Sequence, residues 1–135
     1  MKKTDTTSRL FTEVGLILKT RLQKAIPMPF SQYQTLQFVA ERTRVNMQEV
    51  AQHFKIRAPS ATFLVEELVR SGLVARHANT KDRRKVEIEL TAKGKRTFKV
   101  IHEKRDTILA KLFGSLEEKD RQELNRILES IINNA

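Results

Sequence analysis

Residues 79–94 read NTKDRRKVEIELTAKG, where the cations Lys81, Arg83, Arg84 and Lys85 crowd around Asp82. Val86, Ile88 and Leu90 then alternate with Glu87 and Glu89. Guanidinium and ammonium groups at this density hold anions, and the planar guanidinium fork suits phosphate in particular. The alternation that follows is that of a strand with one packed face and one wet face. The stretch is therefore either the solvated tip of a hairpin or a tip that reaches into a polyanion. A second candidate group lies upstream, where Lys55 and Arg57 precede the hydroxyls of Ser60 and Thr62.

No other constellation points to chemistry. His53, His77 and His102 fall in three separate stretches with no His-x-x-x-His spacing, so they read as solvated or supporting histidines and no metal site is expected. The chain has no cysteine, which excludes disulfides, zinc–thiolate sites and thiol redox switching. Its four glycines form no phosphate-cradling loop, and no nucleophile–base pair or carboxylate pair stands out. An enzyme and a bound cofactor are accordingly not expected.

A length of 135 residues fits one domain with a real core. The net charge is +10, which favours an anionic partner, most simply nucleic acid. The distribution sharpens this. Residues 54–85 hold eight cations against three acids, a net of +5, whereas residues 115–135 hold three cations against five acids, a net of −2. No apolar run approaches the roughly 20 residues needed to span a bilayer, and the lysines of MKKTDTTSRLFTEVG lead into no signal-like apolar stretch. A cytoplasmic protein without a membrane partner is expected.

The elements that position the two basic groups follow from periodicity and punctuation. A helix is predicted over about Thr7–Ala25, with Leu10, Phe11, Val14, Leu18 and Leu22 recurring at helical spacing. Pro27 and Pro29 end it. Ser31 with Gln34 reads as a capping box for a helix to about Arg42, and Asn46 with Glu49 as a box for MQEVAQHF, with Met47, Val50, Ala51 and Phe54 inward. Pro59 sits at the start of SATFLVEELVRS, whose buried stripe is Ala61, Leu64, Val65 and Leu68 and whose end is marked by Gly72. Residues 73–78 and 85–91 read as two strands of a hairpin. Thr91 caps a long helix to about Phe113, carrying Phe98, Ile101, Ile108, Leu109 and Leu112 on one side. Ser115 with Glu118 reads as a third box, opening a helix with Leu124, Ile127, Leu128 and Ile131.

The expected fold class is mainly α with a small antiparallel β-hairpin: a winged helix-turn-helix over residues 30–91, flanked by helices at 1–29 and 92–135. A helix-turn-helix lays its second helix in the major groove, here the one beginning near Pro59. The flanking helices carry apolar stripes that one small core does not cover, so a homodimer built through them is expected, which also suits a palindromic site.

The segment PSATFLVEELVRSGLVARHANTKDRRKVEIELTAKGK resembles the recognition helix and wing of MarR-type transcriptional regulators. The likeness lies in a Ser/Thr-rich helix start, Gly-Leu-Val, an Asp-Arg-Arg wing and a Leu-Thr-x-x-Gly exit. It implies an obligate homodimer that represses, or occasionally activates, genes through double-stranded DNA and is released by a small-molecule effector or another signal. It also implies that Arg84 enters the minor groove from the wing tip, with Asp82 bracing the turn or Arg84 itself. Arg83 and Lys85 are then phosphate neighbours, with Lys81 beside them. Lys55 and Arg57 are phosphate candidates, and Ser60 and Thr62 meet phosphate or base edges unless Ser60 simply caps its helix.

This sequence departs from the family pattern at Phe63 and Glu67, where many members carry basic residues. Phe63 either meets a thymine methyl or is buried against the wing. Glu67 repels phosphate, accepts from a cytosine amino group or pairs with Arg70. Lys55 stands where glycine is common, so that turn must tolerate a side chain. A winged-helix module binding DNA non-specifically, RNA or an acidic protein is the competing expectation.

Overall fold

The computed structural model describes the backbone of residues 3–135 and side chains from Asp5 onward. Its elements run α1 (Lys3–Ala25), α2 (Phe30–Arg42), β1 (Val45–Asn46), α3 (Met47–Phe54), α4 (Ala58–Arg70), β2 (Val74–Ala78), β3 (Val86–Leu90), α5 (Ala92–Phe113) and α6 (Glu118–Asn134). The expected order of helices and hairpin is present. The addition is β1, which pairs with β3 and makes a three-stranded antiparallel sheet in the order β1-β3-β2.

Several boundaries follow from local chemistry as expected. Asn46 and Glu49 form a reciprocal capping box on α3, with the Glu49 N–H donating to Asn46 Oδ1 at 2.8 Å. Lys55 ends that helix in the left-handed region at φ 53°, so the turn does hold a side chain where glycine would be easier. Gly72, at φ +73°, closes α4 in a Schellman arrangement: its N–H donates to Val69 O (3.0 Å) and the Leu73 N–H to Leu68 O (3.0 Å). Thr91 caps α5, its Oγ1 accepting from the Gly94 N–H at 3.0 Å.

Two expected capping boxes do not form. Pro29 occupies the cap of α2, and its carbonyl accepts from the N–H groups of Gln32 (3.0 Å) and Tyr33 (3.1 Å). The helix thus starts at Phe30 and Ser31 lies inside it, where its carbonyl accepts from Thr35 Oγ1 at 2.8 Å. Ser115 turns back to donate to Leu112 O (3.2 Å), finishing α5, and Glu117 takes the cap of α6 without a side-chain hydrogen bond.

The interior has two connected parts. Leu36, Val39, Val45, Val50, Val65, Leu68 and Ile88 anchor a core between α2, α3, α4 and the sheet. Leu22, Ile26, Tyr33 and Ile101 form a second cluster where α1, α2 and α5 meet, and Phe98 packs against both. Beyond that cluster the outer helices are uncovered. Leu10, Phe11 and Val14 of α1 are exposed, as are Ile127, Leu128, Ile131 and Ile132 of α6, and no residue of α6 is buried.

Candidate nucleic-acid interface

The wing turn is built by the side chains at its mouth. Asn79 Oδ1 accepts from the N–H groups of Lys81 (2.8 Å) and Asp82 (3.1 Å), and Asp82 Oδ1 accepts from the Arg84 N–H (3.1 Å). The backbone closes over them: Lys85 N–H donates to Asp82 O and Asn79 N–H to Lys85 O, both at 3.0 Å. Asn and Asp favour such turns because their short side chains reach backbone N–H groups two residues on. These bonds leave Lys81, Arg83, Arg84 and Lys85 exposed, with no hydrogen bond or ion pair to any of the four side chains among the described residues.

The start of α4 is equally open. Arg57 is its cap residue without a side-chain bond, Ala58 and Pro59 form its first positions, and no side chain closes the helix N-terminus. Ser60 therefore does not cap the helix. It is exposed with Lys55, Arg57, Thr62 and Phe63, and Phe63 keeps 62% of its surface free rather than packing on the wing. Glu67 settles on Arg70, with Nη1 donating to Oε1 at 2.8 Å.

Some cations near the wing and α4 are paired and others are not. Arg44, Arg70 and Arg76 are each matched to a glutamate, whereas Lys55, Arg57 and the four wing cations have no such partner among the described residues. No hydrogen bond or ion pair among the described residues joins the wing group to the α4 group. Arg84 and Lys85 instead line a shallow cavity of about 260 Å³ with Asn46, Met47 and Gln48 at the start of α3. The three histidines stay apart: His53 stacks on Phe38 (4.1 Å between centroids), His77 pairs with Glu89, and His102 lies between Tyr33 and Asp106. Among the described residues no group of three or more His, Cys, Asp or Glu could hold a metal ion.

The exit from the wing explains the Leu-Thr-x-x-Gly pattern. Thr91 Oγ1 donates to Gly72 O at 2.6 Å while its N–H donates to Leu73 O at 3.0 Å, which ties the start of α5 to the start of β2. A Cβ on Gly94 would stand 1.9 Å from Leu73 O, so only glycine lets the helix approach this closely.

Sequence reasoning passed over Asn79, which organises the turn, although an Asn opening a hairpin turn is a readable signal. It also passed over Arg44, whose partners lie 43 and 45 residues away and leave no local trace.

Residues 26–85 match the sequence model of the MarR family. This winged-helix unit belongs to that family. The chain is similar to the transcriptional repressor MdtR of Bacillus subtilis (strain 168), at 25% identity over 130 residues, covering 89% of this chain and 82% of that protein. Among solved structures it resembles a MarR family protein from Bacillus stearothermophilus, with a TM-score of 0.86, 24% identity and coverage of 99% and 97%. It also resembles a mutant MarR from E. coli complexed with operator DNA, with a TM-score of 0.78, 20% identity and coverage of 92% and 91%. At these identities the two structures speak to the fold. Residues 26–85 are thus MarR-like in sequence, on a fold that the whole chain shares with these structures. Among the described residues, no helix is long and apolar enough to cross a membrane.

Proposed function

We propose that this MarR-type chain binds double-stranded operator DNA as a homodimer and acts as a repressor. The observation that carries this reading is the division of the cations. Arg44, Arg70 and Arg76 of the same region are matched to glutamates, while the wing tip and the approach to α4 hold six cations outward and unmatched among the described residues. In this reading residues 30–91 are the DNA-binding core. The N-terminal end of α4 enters the major groove, where Ser60, Thr62 and Phe63 face base edges and phosphates, and the uncapped N–H groups beneath them favour an anion. Phe63 is free to meet a thymine methyl. The wing of residues 79–85 lies over the minor groove with Arg84 as its probe, and Lys55, Arg57, Lys81, Arg83 and Lys85 neutralise phosphates. Asp82 spends its carboxylate on the turn rather than on DNA.

Residues 1–29 and 92–135 make the dimer. The exposed apolar side chains of α1 and α6 support this, because apolar patches of that extent on a soluble fold mark an interface. A two-fold dimer spaces its recognition helices by about one DNA turn, matching a palindromic site. The cavity of about 420 Å³ lined by Val39, Ala40, Thr43, Glu89, Leu90, Lys95 and Phe98 is the candidate place for a small effector that relieves repression.

The test is a titration of duplex carrying the chain's own upstream region against random duplex, repeated across salt. The expected log–log salt slope is about −0.9 per phosphate neutralised. Arg84→Ala should weaken binding severalfold while the dimer and its melting temperature stay intact, and unchanged affinity would remove Arg84 from the minor groove. Equal affinity for both duplexes at physiological salt would replace operator recognition with a non-specific architectural role.

A further inference from the structure

The outer face of the wing sheet carries a line of polar side chains drawn from both neighbours of β3. Arg44, one residue before β1, donates through Nε to Glu89 Oε2 at 3.1 Å and through Nη1 to Glu87 Oε2 at 3.4 Å. From the β2 side, His77 Nε2 lies 2.6 Å from Glu89 Oε1, and Asn79 Nδ2 donates to Glu87 Oε1 at 2.7 Å. Strand register sets this up. Val45 pairs with Ile88 in antiparallel sense, which brings Arg44 opposite Glu89, and small Ala75 is the partner of Glu89 on the other side. The hydrogen bond from Arg44 is the main reason the Glu89 carboxyl is held below its usual range.

The backbone makes an unusual turn to deliver Arg44. Thr43 stands at φ 68°, ψ −58°, and the Arg44 N–H donates to Arg42 O at 2.7 Å. This is a positive-φ γ-turn, rare and strained, with a β-branched residue at its apex. It takes the chain from the end of α2 to the edge of β3 within two residues. Strain of this kind persists where the surroundings over-determine it, and the surroundings here are the two carboxylates of β3.

A continuous line therefore runs from Arg44 to Glu87, from Glu87 to Asn79 Nδ2, and from Asn79 Oδ1 to the N–H groups of Lys81 and Asp82. We propose that Arg44 is a positioning residue for the wing: by holding Glu87 and Glu89 it fixes Asn79, and through Asn79 the attitude of the turn that presents Arg84. The proposal rests on the wing being the DNA probe. Arg44 itself touches no base and no phosphate. A lysine substitutes for it only in part, since one ammonium lacks the planar fork that spans both carboxylates.

The experiment uses the full chain with Arg44→Ala, Arg44→Lys, Arg84→Ala and the double variant Arg44→Ala/Arg84→Ala. Arg44→Ala should weaken binding to the upstream duplex about fivefold, but less than about twofold when Arg84 is already absent, because the two residues act through one wing. Its salt slope should match the parent's, whereas loss of a phosphate contact would change the slope by about 0.9. Arg44→Lys should lie between the parent and Arg44→Ala. Independently of DNA, the amides of Lys81, Asp82 and Arg84 should exchange hydrogen faster in Arg44→Ala. Unchanged exchange at those amides, or penalties that simply add, would overturn the proposal. A parent that binds no duplex would refute the DNA reading instead, and the exchange data would still decide whether Arg44 positions the wing.

Discussion

Replacing Gly94 by alanine inserts one methyl group where the first turn of α5 meets Leu73, the residue just before β2. The new Cβ would lie 1.9 Å from Leu73 O and 2.9 Å from Leu73 C, against an ordinary contact of 3.4–4 Å, so backbone has to move by about 1.5 Å. Overpacking of a tight site costs about 1–3 kcal/mol, and a backbone neighbour that cannot rotate away favours the upper end. Movement of that size also loosens three short bonds: Thr91 N–H to Leu73 O, Thr91 Oγ1 to Gly72 O, and Gly94 N–H to Thr91 Oγ1. At roughly 1 kcal/mol each, partial loss adds about 1–2 kcal/mol. Alanine's better helix propensity offsets about 1 kcal/mol. The expected outcome is a destabilisation of about 3 kcal/mol, read from urea denaturation followed by far-ultraviolet circular dichroism at fixed protomer concentration. Gly15→Ala is the counterpart, because nothing lies within 4 Å of a Cβ there and the same propensity term acts alone. It should stabilise by about 1 kcal/mol. If Gly94→Ala shifts the curve in the same direction as Gly15→Ala, the close approach of α5 to β2 is not what holds the wing exit together.

Tyr33 is the chain's lone tyrosine and there is no tryptophan, so absorbance at long ultraviolet wavelength reports its ionisation alone. Burial raises its pKa above the ordinary 10.0, with the charge of Arg105 opposing. The native phenol should titrate at higher pH than the same residue in urea. Stability contributed by this group is complete below pH 10 and is lost as pH rises toward the native value, and coincident titrations would contradict its burial. Ile131→Glu places a carboxylate on the exposed apolar face of α6 without lowering helix propensity. It should halve the solution mass measured by light scattering, and an unchanged mass would move the dimer contact off this face. Thr43→Gly removes a β-branched side chain from φ 68°. Relief of about 1–3 kcal/mol of strain outweighs about 1 kcal/mol of added unfolded-chain entropy, so the variant should melt a few degrees higher; a lower melting temperature would mean that the turn is not strained.

Much of the candidate interface was legible because its causes are local. The Asn46–Glu49 box, Gly72 and Thr91 each satisfy or redirect backbone groups within a few residues, so spacing alone placed α3, the end of α4 and the start of α5. The wing's charge and the alternation of β3 were visible for the same reason. The boxes expected at Ser31 and Ser115 failed where a neighbour reached the backbone groups first: Pro29 captured the start of α2, and the Ser115 hydroxyl went to the end of α5. Spacing names a capable side chain but not its competitors.

By itself the sequence determined the order of elements, the position of the basic turn and the apolar stripes, because helix and strand periods, caps and turns are short-range matters. Tertiary structure alone decided the rest. Val45 and Asn46 form a strand only because β3 offers an edge, and two residues carry no periodicity of their own. Phe63 was left open rather than buried against the wing. Gly94 owes its necessity to a carbonyl 21 residues earlier in the chain, at Leu73. Arg44 finds its two glutamates 43 and 45 residues further along the chain yet beside it in space. Such contacts arise when the chain folds back on itself, and that distance in sequence is what kept them from being read along it.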